Sequence, residues 1–206
     1  MTTSQGERML QETLGTRPRA ERFYRRQMLD HLNEPMREFI GRQRMMFLAT
    51  SDGNGACDST LRSGPPGFVT VLDAHRLAWP EYRGNGVLAS RGNILENPHA
   101  GLLFVDFLDE VIGLHVNGRA SLASALPDVA ATPGRRVEQW VVVEVEEAYI
   151  HCAKNIPHLQ PVTDRPRPLS RRSDFFSVAR ARPAVPAPRA RRAALHLLLR
   201  QLWRHR

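Results

Sequence analysis

Two short stretches of this chain carry residue types at spacings that suit an anionic ligand. Pro80-Glu81-Tyr82-Arg83-Gly84-Asn85-Gly86 stands where a strand-like apolar run gives way to a helical one. A helix start leaves backbone N–H groups unpaired and carries partial positive charge, so an arginine and two glycines just ahead of it favour a phosphate. Gly84 and Gly86 permit close backbone approach, and Asn85 can cap the helix or donate to an oxygen. The same residues also suit an ordinary glycine-rich turn with a helix cap. The second stretch, Arg62-Ser63-Gly64-Pro65-Pro66-Gly67-Phe68, joins two expected strands. Its prolines fix the loop shape, and a rigid loop can present backbone groups to the edge of a flat ligand. Arg62 would bring a second charge to the same anion, or stand as a surface arginine on a plain strand connection.

The remaining reactive side chains say less. His115 alternates with Leu114 and Val116, which puts it with Asn117 and Arg119 on the strand face opposite the core, toward a cleft or on an outer or interface surface. The outer or interface position is the expectation. His151, Cys152 and Lys154 form a compact group at the end of the last expected strand. Two adjacent ligands without a second pair do not make a tetrahedral zinc site. Lys154 would lower the pKa of a redox thiol, but Cys152 is expected to be a buried structural cysteine, as is Cys57 in the core. Glu144 and Glu146 alternate onto one solvated face. Neither G-x-S-x-G, a P-loop nor H-E-x-x-H occurs, so acyl transfer, nucleotide hydrolysis and zincin chemistry have no motif here.

The elements that must position these groups change character along the chain. Residues 7–43 carry apolar residues at helical spacing, with breaks at Gly15 to Pro18 and Asn33 to Pro35. From Met45 six runs (MMFLAT, FVTVLD, RLAWP, AGLLFVDF, IGLHVNGRASL and QWVVVEVEEAYI) read as strands separated by Gly, Asp, Asn and Pro clusters. That spacing predicts an antiparallel barrel or sandwich. One helix interrupts it, from Gly84 to Pro98, ending where the residue before proline disfavours the α region.

Charge divides the chain again. Its 206 residues carry a net charge of +8, yet residues 165–206 hold 12 Arg against the single acid Asp174, a net +11. The first 164 residues are net −3. The basicity therefore belongs to a Pro/Arg-rich tail that reads as a disordered linker, followed by a basic amphipathic helix with Leu195, Leu198, Leu199 and Leu202 on one stripe. The expected divisions are 1–44, a helical segment; 45–160, a barrel; and 161–206, the tail, with weak electrostatic contact to nucleic acid or an anionic membrane. Two cysteines, no apolar run of about 18 residues and a polar start point to a cytoplasmic protein.

Several words in order, RSGPPGFVTVLD, LAWPEYRGNG, SRGNILENPHAGLLFVDF, LHVNGRA and EAYIHCAKNIP, resemble the pyridoxamine 5'-phosphate oxidase family, in a bacterial branch rather than the vitamin enzyme itself. The resemblance covers about residues 7–160. It implies a mainly β fold with flanking helices, a Greek-key-like split β-barrel that dimerises and holds FMN in a cleft between subunits. By position, Arg62 and Arg83 are similar to the arginines that reach the FMN phosphate, with Ser63 beside Arg62. Gly84, Asn85, Gly86 and Ser90 resemble the cradle at the helix start, and Asn93 lies on that helix. Where the vitamin enzyme adds a lysine, this chain offers Gly84 and Asn85, a less charged cradle that leaves room for a deazaflavin. Arg91, where relatives carry an apolar residue, either faces solvent or adds a third phosphate contact. The segment bearing Lys154 would close over the dimer cleft. The implied function is FMN-dependent oxidation or reduction of a small substrate by hydride transfer at the flavin. The alternative is a non-catalytic flavin or tetrapyrrole carrier or sensor.

Overall fold

Helix starts and stops follow the local chemistry in a computed structural model, which describes residues 4–161 apart from Asp128, Ala130, Thr132 and Pro133. Helix α1 (Gln5–Thr13) begins where the Ser4 hydroxyl accepts from the Glu7 N–H, and Gly15, at φ +63°, turns the chain into α2 (Arg17–Gln27). Helix α3 (Glu34–Arg42) starts at Asn33, whose Oδ1 accepts from the Met36 N–H at 3.0 Å, with a proline in its first turn. Its Phe39 and Ile40 belong to the same core as the strands.

Eight antiparallel strands follow the order β3-β2-β6-β7-β8-β5-β4, with β1 (Met28–Leu29) paired to β8 off that path. They are β2 (Met45–Ser51), β3 (Cys57–Ser63), β4 (Thr70–Val71), β5 (Arg76–Tyr82), β6 (His99–Asp106), β7 (Ile112–Ala123) and β8 (Val137–His151). Helix α4 (Ala89–Glu96) is inserted between β5 and β6. Alternation is cleanest in β7, where Leu114, Val116, Gly118 and Ala120 face in and His115, Asn117 and Arg119 face out. Leu48, Leu77, Trp79, Leu102, Phe104 and Val143 fill the interior. The register of β7 on β8 slips at Asn117/Gly118, and a Cβ on Gly118 would lie 2.0 Å from the Glu144 carbonyl oxygen. Only glycine fits that close approach.

Two strands exceed the six expected. β3 lies at a sheet edge, and β1 is two residues long. FVTVLD contributes only Thr70–Val71 to the sheet. Cys57 is exposed on edge strand β3, not in the core, and Cys152, just past the end of β8, is exposed rather than buried. Glu144 and Glu146 are exposed on β8 as the alternation requires. Among the described residues no helix is long and apolar enough to cross a membrane, and no group of three or more His, Cys, Asp or Glu is placed to hold a metal. The Pro/Arg linker and its terminal helix lie outside the described residues.

Candidate cofactor cleft

The barrel is split between β3 and β5, which do not pair. A cleft of about 660 Å³ opens there, walled by β3, β5, the Arg83–Ala89 connection, the start of α4 and Arg135 from the loop between β7 and β8. That volume suits a small-molecule ligand. On β3 the residues Asp58, Thr60 and Arg62 alternate inward toward the cleft, which is why CDSTLRS forms a strand without an apolar stripe.

One ion pair spans the split. Arg62 Nε donates to Glu81 Oε1 at 2.7 Å, and its Nη1 donates to Thr60 Oγ1 at 3.0 Å. The same Glu81 oxygen accepts from the buried Trp79 indole N–H at 2.9 Å. A largely buried carboxylate with two donors is well satisfied, so Arg62 holds the cleft floor together. At the helix end, Ser90 Oγ donates to Asp58 Oδ2 at 3.3 Å, tying α4 to β3. Arg91 neither faces solvent nor stands free: it is buried and donates to Gln139 Oε1 and Glu138 Oε2, both at 3.0 Å.

The helix begins five residues later than expected. α4 starts at Ala89 behind Leu88, which adopts a left-handed conformation at φ +59° and gives no side-chain cap. That backbone costs a leucine roughly 1–2 kcal/mol, and it lies in the cleft wall. Asn85 does not cap the helix. Its Oδ1 accepts from the Val87 N–H at 3.0 Å, closing a turn around Gly86, whose φ of +86° requires glycine. Arg62, Ser63, Arg83, Gly84, Asn85 and Ser90 therefore meet at one cleft, whereas Gly86 and Asn93 do not line it. Asn93 points to the barrel, donating to Thr50 Oγ1 at 3.0 Å.

His115 and His151 lie on the outer face, away from the cleft. Their Nε2 and Nδ1 are 2.8 Å apart, and the His115 ring stacks on Tyr149 at 4.7 Å and 17°. Burial, with the neighbouring His151 second, holds the His115 pKa below its ordinary value. The unfolded chain therefore takes up a proton that the folded chain resists, and stability contributed by neutral His115 is lost as pH falls through the ordinary histidine range. The urea midpoint should drop between about pH 7 and pH 5, and His115→Gln should flatten that drop. An equal drop in the variant would assign it to other groups.

Several solved structures are similar to this chain. A Group A Streptococcus HupZ crystal structure is 16% identical, with a TM-score of 0.44 over 62% of this chain and 98% of that one. HutZ, the haem storage protein of Vibrio cholerae, is 13% identical, with a TM-score of 0.39 over 58% and 94%. A Clostridium acetobutylicum protein related to general stress protein 26, of the pyridoxinephosphate oxidase family, is 15% identical, with a TM-score of 0.40 over 55% and 83%. No curated protein matches the chain. The family model for pyridoxamine 5'-phosphate oxidase matches residues 32–152, more than half of the chain. That span opens just ahead of α3 and closes just past β8, enclosing both walls of the cleft, and the chain belongs to the pyridoxamine 5'-phosphate oxidase family.

Proposed function

We propose that this protein binds FMN in the cleft between β3 and β5 and works as a flavin-dependent oxidoreductase on a small substrate, as a homodimer. The observation that carries the reading is the cleft's division of labour. Phe68, Tyr82 and Leu88 give it apolar and aromatic surface, while Arg83, exposed at one end beside Gly84 and Asn85, has no carboxylate partner among the described residues. An unpaired guanidinium next to a glycine turn fits a phosphate, and flat apolar walls fit a ring system. Bound flavin supplies hydride chemistry at its N5 atom. The chain's own residues bind, orient and shield: Arg83 holds the anion, Phe68 walls the ring, and the Arg62–Glu81 bridge, backed by the buried Trp79, keeps the two edges of the split at a fixed separation.

The outer sheet face supports the dimer. Leu61, Phe47, Leu103, His115, Tyr149 and Met28 occupy matched registers across five neighbouring strands and β1, forming one row. Leu61 is 51% exposed and Phe47 38%, so part of this row is uncovered in a single chain.

One observation favours a second reading, a carrier of flavin or tetrapyrrole without turnover. Among the described residues both carboxylates that line the cleft are engaged, Glu81 by Arg62 and Trp79 and Asp58 by Ser90. A panel of electron donors separates the two: repeated bleaching and reoxidation of bound flavin is the result expected of the oxidoreductase, and a flavin that resists every donor marks the carrier.

A further inference from the structure

Among the described residues four arginines line the cleft, and two of them are engaged. Arg62 is held by Glu81 and Thr60, and Arg91 by Glu138 and Gln139. Arg83 and Arg135 are exposed and have no carboxylate partner among the described residues. Their proximity follows from strand register. β5 and β8 pair antiparallel up to Tyr82 opposite Val137, so Arg83 and Gly84 leave one strand where Arg135 and Arg136 enter the other. Of that second pair, only Arg135 lines the cleft. Its guanidinium lies 3.8 Å over the Tyr82 ring, a cation–π contact that fixes the plane of the group beside the cleft.

We infer that Arg135, with Arg83, receives the terminal phosphate of the cleft's ligand, and that Arg62 serves the cleft through Glu81 instead. Two planar guanidinium forks carried by adjacent chain segments that line one cleft suit the several oxygens of a dianion. An arginine already bonded to a largely buried carboxylate has less left to give, because a phosphate must displace Glu81 or share the guanidinium with it. This inference rests on the flavin reading and specifies which residues hold the anionic end.

FMN and riboflavin differ only in the phosphate, so titrating both into the full chain and into Arg135→Ala isolates that end. Arg135→Ala is expected to weaken FMN by about 10-fold and leave riboflavin unchanged, and added salt should weaken FMN less in the variant than in the parent. Unchanged FMN affinity, or an equal loss for both flavins, overturns the inference, the latter by showing that Arg135 only shapes the cleft. If the parent chain takes up neither flavin, the flavin reading itself fails. Inorganic pyrophosphate then decides the anion site through side-chain N–H resonances: shifts at Arg83 and Arg135 sustain the assignment, and a shift at Arg62 alone or at none overturns it.

Discussion

Arg83→Ala is expected to weaken FMN binding by about 10-fold or more, while riboflavin affinity and the urea midpoint stay near those of the parent. A charge-assisted hydrogen bond to phosphate is worth about 1.5–3 kcal/mol, and about 1.4 kcal/mol is tenfold in affinity. Arg83 is exposed and makes no ion pair with a described residue, so its removal breaks no ion pair among them. Arg62 contrasts with it. Removing that guanidinium would leave Glu81 largely buried without its cation, so loss of stability would accompany any change in affinity. Equal FMN and riboflavin affinities in parent and Arg83→Ala would remove the anion assignment at this end of the cleft.

Trp79→Ala is expected to cost about 3–5 kcal/mol, a large share of the 5–15 kcal/mol that holds a domain folded. Trp79 is 1% exposed in the core and opposes Val141 on β8. Its indole N–H also serves Glu81, so the alanine opens a cavity and leaves that carboxylate with one donor fewer. Trp79→Phe separates the two effects. It keeps most of the buried surface and loses the donor, and about 1–2 kcal/mol is expected. Equal losses for Ala and Phe in urea unfolding would mean that the hydrogen bond, not the packing, dominates at this position.

The parts of the fold legible in the sequence are those where one face meets the core. β6, β7 and β8 alternate because their inward residues fill the interior, and α3 shows itself through its asparagine cap and early proline. β3 has no apolar period, because its inward residues, Asp58, Thr60 and Arg62, face the cleft, so only the loop that follows it marks the strand. α4 starts later than the sequence suggests because Asn85 spends its oxygen on a turn and Leu88 takes a left-handed backbone, and neither leaves a propensity signal. The arginines were visible as charges, but their partners were not. Whether Arg62 meets phosphate or Glu81, and whether Arg135 reaches the cleft, depends on the split between β3 and β5 and on the β5–β8 register, which slips at Glu81/Tyr82. His115 was legible as outward-facing, yet its hydrogen bond to His151 rests on Gly113 standing opposite His151 in the ladder.

The central claim is that the split of this barrel is an FMN site, and the chromophore carried by the full chain tests it most directly. The purified protein, saturated with FMN and freed of excess, should retain a flavin absorbance spectrum, and denaturation should release a compound with the mass of FMN in proportion to the chain. A protein that retains no flavin under those conditions, or that is purified with a tetrapyrrole spectrum and excludes FMN, would contradict the account.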